Sequence, residues 1–355
     1  MKKLDFNIPF SGFCGTTFIN CFTSTYMFLE GIAGNDDYDC KKKRGEKCDG
    51  CGNCRGSSKQ LQEKWFFLFD TVCGRSSLRC RFDGEPTEMQ KMVGEPSFYD
   101  GGSDNNVDFL FGFAGYDYSK LIEPSDFRAA VEASVGTGKP ALARVKSGDG
   151  GRFRVITGYD GEVLSGPNYA GAQKPPKEAP SYGDIDALYI IGGKQSPRYT
   201  LIDGLKRIET IMEYNQAEKL WDGYMQKMGL YTSDSLSKVD AEEKKRRMKR
   251  VAATMWHTFN CHNFAEVFRH PIIEELNDPT LKNLYRPIGG PGPNYHGYTH
   301  DLAWALIGLE ERADWTKRAD GYFGEMVELV LMKIRDNDAG VLKAVKEMIK
   351  YMENK

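Results

Sequence analysis

A cluster of four cysteines constrains this chain more than any other feature of its sequence. The cluster has the spacing C-x7-C-x2-C-x2-C and comprises Cys40, Cys48, Cys51 and Cys54. The surrounding residues 33–57 are polar and rich in glycine and lysine, so they have little apolar surface to bury. Neighbouring thiolates repel one another unless a cation compensates them. We therefore predict one metal ion bound by four thiolates, which folds a segment that has no core of its own.

The residues around the cysteines bear on which metal is bound. The sequence CKKKRGEKCDGCGNC carries five basic residues, which offset the double negative charge of a zinc tetrathiolate centre. The spacing C-x2-C-x2-C also occurs in iron–sulfur proteins. Over these fifteen residues alone, the spacing resembles in reversed order the structural zinc lobe of the medium-chain alcohol dehydrogenases. Zinc is the favoured metal, and an iron–sulfur cluster is the alternative.

Composition excludes several classes of protein. The 355 residues carry 48 Lys+Arg against 50 Asp+Glu, which argues against a generally basic nucleic-acid binder. The basic run at 244–250 follows acidic residues and is interpreted as a solvated helix face. No apolar run reaches the roughly 18 residues of a membrane span, and the start of the chain lacks the apolar core of a signal peptide. We therefore expect a cytoplasmic protein. Its nine cysteines are odd in number, and in a chain this long without a secretion signal we expect no disulfide framework.

Hydrophobic periodicity indicates that the first part of the chain mixes helices and strands. Helices are predicted over 14–30, 58–72 and 126–135, the last with Ser125 as its cap. Strands are predicted over 141–145, 153–159, 162–164 and 187–193, with a turn at 159–161 that makes a hairpin of the second and third. The glycine- and proline-rich residues 166–186 are predicted to form a surface loop.

Beyond residue 199 only helical periodicity remains. The predicted helices cover 201–228, 239–269, 301–313 and 321–352, the last with a break near Gly340. Since the strands are confined to the first part, the predicted fold class is α+β. We expect an α+β domain at 1–198 that contains the metal-binding insertion 33–57, followed by an all-helical domain at 199–355.

Cys14 is the candidate nucleophile of the α+β domain. It precedes Gly15 at the start of the first predicted helix, where the helix dipole and the free backbone amides stabilise a thiolate. The alternative is that Cys14 is a core residue, since cysteine is among the most buried residue types.

The Cys14-Gly15 helix and the later run RFRVITGYDG at 152–161 together resemble the papain-like families of the bacteriocin-processing peptidases and of the butirosin-biosynthesis acyltransferase N-terminal domain. There a Cys-Gly helix is followed by a sheet with a His-x-x-V-x-x-G-Y-D strand and then an Asp-Pro. The resemblance covers about residues 8–193. It implies a papain-like domain with an antiparallel sheet, into which the four-cysteine loop is inserted. It also implies thiol-dependent acyl transfer or amide hydrolysis on a small molecule, a peptide or an acyl carrier.

The sequence departs from this family at three places. Arg152 stands where the family has its catalytic histidine, and Gly166-Pro167 stands where it has Asp-Pro. The family's oxyanion-binding amide falls on Ile8, with Asn7 one position away. Arginine does not accept a proton near neutral pH, so either another residue is the base or the chemistry is lost. The first alternative is therefore a non-catalytic binding or regulatory protein on a degenerate papain-like fold. The second alternative, which rests on the cysteine cluster, is an iron–sulfur redox protein.

A replacement base is sought among five histidines, which all follow residue 256. His296 and His300 flank a glycine- and proline-rich loop, where binding residues often lie, and Asp301 could orient a neighbouring imidazole. They are the first choice, and His262 on a predicted helix comes next. For each histidine the alternative is a hydrogen-bonded core residue. The sequence leaves the oligomeric state open.

Overall fold

The protein is described by a computed structural model. It covers residues 2–10, 17–37, 56–78, 87–89, 102–146, 152–167, 180–217, 219–220, 222–223, 237–243, 278–289 and 322–355. The chain forms two compact units, one of Met1–Phe69 with Ser97–Tyr199 and one of Asp70–Pro96 with Thr200–Lys355. The first unit ends next to the predicted boundary at 198, and Asp70–Pro96 belongs to the second. The papain-like assignment of residues 1–198 stays a prediction.

Four helices begin in the first unit: α1 (Thr17–Leu29), α2 (Ser58–Val72), α3 (Asp104–Ala114) and α4 (Pro124–Gly136). The helix predicted at 58–72 is confirmed, and the one predicted at 14–30 is confirmed over α1, with residues 14–16 outside the described part. Helix α4 begins with Pro124 in its first turn, after Glu123 as N-cap. Proline suits that position because its missing N–H would have no helical partner. The prediction that Ser125 caps this helix is therefore wrong.

The larger sheet is antiparallel and has the strand order β2-β7-β3-β4. Its strands are β2 (Tyr116–Leu121), β3 (Ala141–Val145), β4 (Arg152–Ile156) and β7 (Ile185–Lys194). A smaller antiparallel sheet has the order β1-β5-β6, from β1 (Lys2–Lys3), β5 (Gly158–Asp160) and β6 (Val163–Ser165). The chain is thus a mixture of helices and antiparallel sheets, as the predicted α+β class requires, and the predicted hairpin is β5-β6.

The strand predicted at 153–159 is in fact two strands in two sheets. The chain leaves the larger sheet after Ile156, and Thr157 already bonds in the smaller one. The Thr157 amide donates to Ser165 O at 2.8 Å, and Thr157 O accepts from Leu4 N at 2.8 Å. The prediction of one continuous strand was wrong because β-favouring residues alternate through the segment at Phe153, Val155, Thr157 and Tyr159, while the change of sheet depends on partners distant in sequence.

Helices α1 and α4 lie on opposite faces of the larger sheet. Side chains alternate between the faces of a strand. One face of the sheet packs on the buried Phe127, Val131 and Val135 of α4, as the predicted spacing required. On the other face, Phe153 of β4 contacts Phe18 of α1. The sheet therefore separates the helix that follows Cys14 from α4.

The second unit is helical in its described part, with a 3₁₀ turn at Arg75–Ser77 followed by α5 (Leu201–Ala217), α6 (Pro279–Gly289) and α7 (Tyr322–Glu353). Helix α7 continues through Gly340, so the predicted break there is wrong. A glycine costs a helix about 1 kcal/mol, and the burial of Val341, Val345 and Met348 just beyond it offsets that cost. Among the described helices, none is long and apolar enough to span a membrane.

Candidate functional site

The segment before Cys14 runs antiparallel to α1. The rings of Phe6 and Phe28 stack with centroids 4.9 Å apart, near the C-terminal end of the helix. Closer to its start, Ser24 Oγ donates to Pro9 O at 2.9 Å. The chain thus passes from the end of α1 toward its beginning before it reaches residues 11–16. Cys14 itself lies outside the described residues, three positions before Thr17.

The start of α1 lies against the start of β4. Phe18 and Phe153 are each the second residue of their element, and both are buried. Their ring centroids are 4.9 Å apart, with the ring planes inclined by 65°. Phe153 directly follows Arg152, which begins β4 and whose side chain lies outside the described part. The contact places α1, the helix after Cys14, against β4, which belongs to the 152–161 run that resembles the papain-like families.

The position expected to supply an oxyanion-binding amide has no suitable side chain. Ile8 is buried and apolar, and Asn7 beside it is exposed to solvent. An aliphatic side chain cannot donate a hydrogen bond. The side chain at position 8 therefore supplies no hydrogen-bond donor for an oxyanion at Cys14.

Sequence reasoning missed a buried polar network between α1 and α2. Gln62 Nε2 donates to Asn20 Oδ1 at 3.2 Å and to Ser24 Oγ at 3.4 Å, and all three residues are buried. Gln62 Oε1 has no hydrogen-bond partner among the described residues. The sequence offers only a weak signal, since Asn20 and Ser24 lie four residues apart on one face of α1, a helix that also contains three threonines. Their partner becomes evident only when the packing of α2 is known.

We call the predicted insertion, residues 33–57, the four-cysteine segment. Residues at its two ends are hydrogen-bonded to each other. Gly34 N donates to Ser58 Oγ at 2.9 Å, Asn35 N to Gly56 O at 3.0 Å, and Ser58 N to Asp36 Oδ1 at 3.0 Å. We call residues 34–36 and 56–58 the clasp. A Cβ atom on Gly34 would lie 2.1 Å from Ser58 N, so this approach requires glycine. The clasp brings residues 56–58 back beside residues 34–36. Helix α2 starts at Ser58, within the clasp.

The two cysteines that the structure describes are core residues. Burial raises the pKa of Cys21 far above its ordinary value, although the charge of Arg154 and a backbone hydrogen bond from Val155 oppose the shift. Burial, followed by the charge of Asp70, raises the pKa of Cys73 to about 12. Neither thiol is a nucleophile at neutral pH, because the thiolate is the reactive form.

The other predicted site residues lie outside the described part of the chain. These are Cys14, His296, His300 and the metal ligands Cys40, Cys48, Cys51 and Cys54. Within the described part, no group of three or more His, Cys, Asp or Glu side chains has the geometry of a metal site. The predicted zinc site and the pairing of Cys14 with a histidine therefore stay predictions.

Comparison of the chain with protein-family models, with curated proteins and with solved structures finds no match.

Proposed function

We propose that this protein is a thiol-dependent acyl-transfer or amide-hydrolysing enzyme on a papain-like α+β fold, with Cys14 as its nucleophile. The contact between Phe18 and Phe153 carries the proposal. The resemblance to the papain-like families requires that the helix after the cysteine pack on the strand of the 152–161 run, and this contact meets that requirement. A remote position of β4 would have removed the basis of the resemblance.

Each candidate residue has a defined role in this chemistry. The Cys14 thiolate attacks the carbonyl carbon of the substrate, and the oxyanion accepts a hydrogen bond from the Cys14 backbone N–H. The tetrahedral intermediate expels the substrate's amine, alcohol or thiol, which takes up the proton held by the imidazolium, and the resulting thioester passes its acyl group to water or to an acceptor. His296 or His300 serves as the base, with His262 as the next choice, because arginine at position 152 cannot take up a proton. The substrate is a small molecule, a peptide or an acyl carrier.

Acylation by an activated ester tests the proposal. With p-nitrophenyl acetate, the Cys14 sulfur should gain an acetyl group as p-nitrophenolate leaves, and peptide mass mapping should locate the thioester. Cys14→Ser should abolish this product, whereas Cys73→Ser should retain it because the Cys73 thiol is buried. Absence of acetyl from Cys14 under conditions in which free cysteine is acetylated would refute an enzymatic role.

We further propose that the four-cysteine segment binds a structural zinc ion. The clasp supports this, because it brings together the residues that flank the four cysteines, and closing such a loop lowers the entropic cost that a bound metal must overcome. Four thiolates bind one zinc ion in structural sites of this kind. An iron–sulfur redox centre is the alternative occupant. A visible absorption spectrum separates the two, since an iron–sulfur protein is brown and a zinc site is colourless.

A non-catalytic binding or regulatory role is the second candidate. The burial of Ile8 favours it, because the position expected to hold an oxyanion-binding amide carries an aliphatic core residue. Arg152 at the position of the family's histidine favours it as well. In that case Cys14 has an ordinary thiol pKa and forms no acyl intermediate.

A further inference from the structure

Two tyrosine rings and a carboxylate surround a cation at the C-terminal end of α1. Glu30 N donates to Tyr26 O at 2.9 Å as the helix ends. The side chains of Tyr26 and Glu30, four residues apart, therefore lie on one side of the helix. Tyr116 of β2 supplies the second ring, and its hydroxyl donates to Glu30 Oε1 at 2.6 Å. We call Tyr26, Glu30 and Tyr116 the cage.

The ammonium group of Lys194 occupies the cage. Lys194 is the last residue of β7 and lies opposite Tyr116 of β2, so the two side chains project from the same face of the sheet. Its Nζ bonds the Glu30 carboxylate and lies 4.6 Å from the Tyr116 ring centroid and 5.8 Å from the Tyr26 centroid. Both rings are within the roughly 6 Å over which a cation and an aromatic face attract each other.

The carboxylate of the cage is negatively charged at neutral pH. Burial opposes ionisation of Glu30, but the hydrogen bonds from Lys194 and Tyr116 outweigh it and lower the pKa of this carboxyl. A cation inside the cage is therefore attracted by a full negative charge as well as by two aromatic faces.

The cage is held by the packing around it, whereas its occupant is replaceable. The Tyr26 ring contacts Trp65 and Phe69 of α2, in each case with 5.1 Å between ring centroids. The Lys194 side chain, in contrast, is 50% exposed. An ion pair with this exposure contributes little to stability, so the fold does not depend on it. A ligand that enters the cage finds the rings and the carboxylate already in place, which lowers the cost of binding.

We propose that the cage is a binding site for the methylated ammonium group of an external ligand, and that Lys194 is its internal competitor. The site involves neither Cys14 nor the four-cysteine segment. The primary ammonium of lysine is strongly hydrated, and Lys194 gives up part of this hydration inside the cage. A methylated ammonium is the usual ligand of aromatic cages, because its methyl groups pack on the rings while its charge attracts them. Both properties favour exchange of Lys194 for such a ligand.

Titration of the full chain with choline, followed by the NMR signals of labelled tyrosine rings, tests the site. A cage filled by its internal competitor in about nine-tenths of molecules binds about tenfold more weakly than the empty cage. Lys194→Gln should therefore bind choline about tenfold or more tightly than wild type. Lys120→Gln is the matched control and should bind as wild type does. Its ammonium pairs with Asp104 and, among the described residues, lies over the ring of Tyr189 only.

The ligand charge and the cage residues are tested in the Lys194→Gln background. Dimethylbutanol, the uncharged isostere of choline, should bind at least about fivefold more weakly, because the two aromatic faces then meet no cation. Tyr116→Leu removes one ring and should weaken choline binding. Glu30→Gln keeps the shape of the cage and removes its charge, so it should weaken choline binding too and remains informative if Tyr116→Leu does not fold.

A trimethyllysine amide, titrated in parallel, identifies the source of the ammonium group. Tighter binding than that of choline assigns the site to a modified protein side chain, and equal or weaker binding assigns it to a small molecule. If choline binds Lys194→Gln no more tightly than Lys120→Gln, the proposal is overturned. Equal binding of choline and dimethylbutanol overturns it as well, and so does full affinity after the loss of the Glu30 charge.

Discussion

Phe18 at the start of α1 and Phe153 at the start of β4 pack edge to face, with ring centroids 4.9 Å apart. Both rings are fully buried, and Phe153 also contacts Tyr189 of the neighbouring part of the sheet, at 5.6 Å between centroids. Edge-to-face pairs add about 0.5–1.5 kcal/mol to the free energy gained from burial. The contact fixes α1, and thereby the approach to Cys14, on one face of the larger sheet.

Phe18→Ala should therefore destabilise the protein strongly. Truncation of a buried phenylalanine typically costs about 3–5 kcal/mol of unfolding free energy, from lost burial and from the cavity that remains. Urea unfolding monitored by circular dichroism measures the change. Ile122→Ala is the control, because Ile122 is 61% exposed, and it should change stability by no more than about 0.5 kcal/mol. A Phe18→Ala variant as stable as this control would show that the contact contributes little.

The four-cysteine segment should contain about one zinc ion per chain, bound by four sulfurs at roughly 2.3 Å. Elemental analysis gives the stoichiometry, and X-ray absorption at the zinc edge gives the ligands and distances. Cys51→Ser should lower the bound zinc and destabilise the segment, because a structural site with three thiolates holds the metal less tightly. The protein should be prepared under reducing conditions, with ample zinc and iron and without a chelator. If it then contains no metal, the predicted site is contradicted.

Cys21 and Cys73 should resist alkylation in the folded protein. Burial raises the pKa of both thiols. The unfolded chain releases these protons near the ordinary thiol pKa of about 8.5, while the folded chain retains them. The unfolded state therefore binds fewer protons in alkali, and stability should fall as the pH rises above about 9. Peptide mapping after iodoacetamide treatment should find both cysteines unlabelled until urea is added, and labelling of either in the native state would refute their burial.

Asp278 should make the second unit sensitive to acid. A hydrogen bond from the Lys355 ammonium group is the main cause that holds the pKa of Asp278 well below its usual range. Further hydrogen bonds lower this pKa as well, and their donors are Leu281 N–H, the Tyr351 hydroxyl and Thr280 N–H. A lowered pKa in the folded state means that this stabilisation is present above the unfolded value, near 3.8, and is lost as the pH falls below it.

Asp278→Ala should lower the thermal midpoint at pH 7 by a few degrees, since α6 loses its N-terminal cap. The difference from wild type should shrink as the pH is lowered below about 4, because the unfolded chain then takes up a proton at this carboxyl while the folded chain does not. Asp336→Ala, on the exposed side of α7, serves as the control. A midpoint difference that does not change with pH would contradict this assignment.

The sequence predicted local elements well where periodicity and packing agree. Helix α2 begins and ends where the pattern places it, and Phe127, Val131 and Val135 form the predicted buried face of α4. Strand β2 was not predicted, because its sequence YDYSKL is polar at an edge of the sheet, with only half of its side chains partly covered. Edge strands owe their place to hydrogen bonds with a neighbour, which a local pattern does not record.

The candidate site was harder to predict than the fold. The four clustered cysteines were singled out by their spacing and Cys14 by its place before Gly15, and both predictions concern residues outside the described part of the chain. The clasp and the Gln62 network were not predicted, since each joins residues at least twenty positions apart. Gln62 is one of several polar residues in α2, and it becomes informative only when the opposing face of α1 is known to carry Asn20 and Ser24.

The pH dependence of iodoacetamide labelling at Cys14 tests the central claim most directly. Peptide mapping distinguishes Cys14 from the buried thiols, and Cys14→Ser identifies its signal. A thiolate stabilised by a helix N-terminus and a nearby histidine should already react at its maximal rate near neutral pH, with an inflection well below the ordinary thiol pKa of about 8.5. A rate that rises with an inflection near 8.5 would contradict the account and leave the binding or regulatory role in its place.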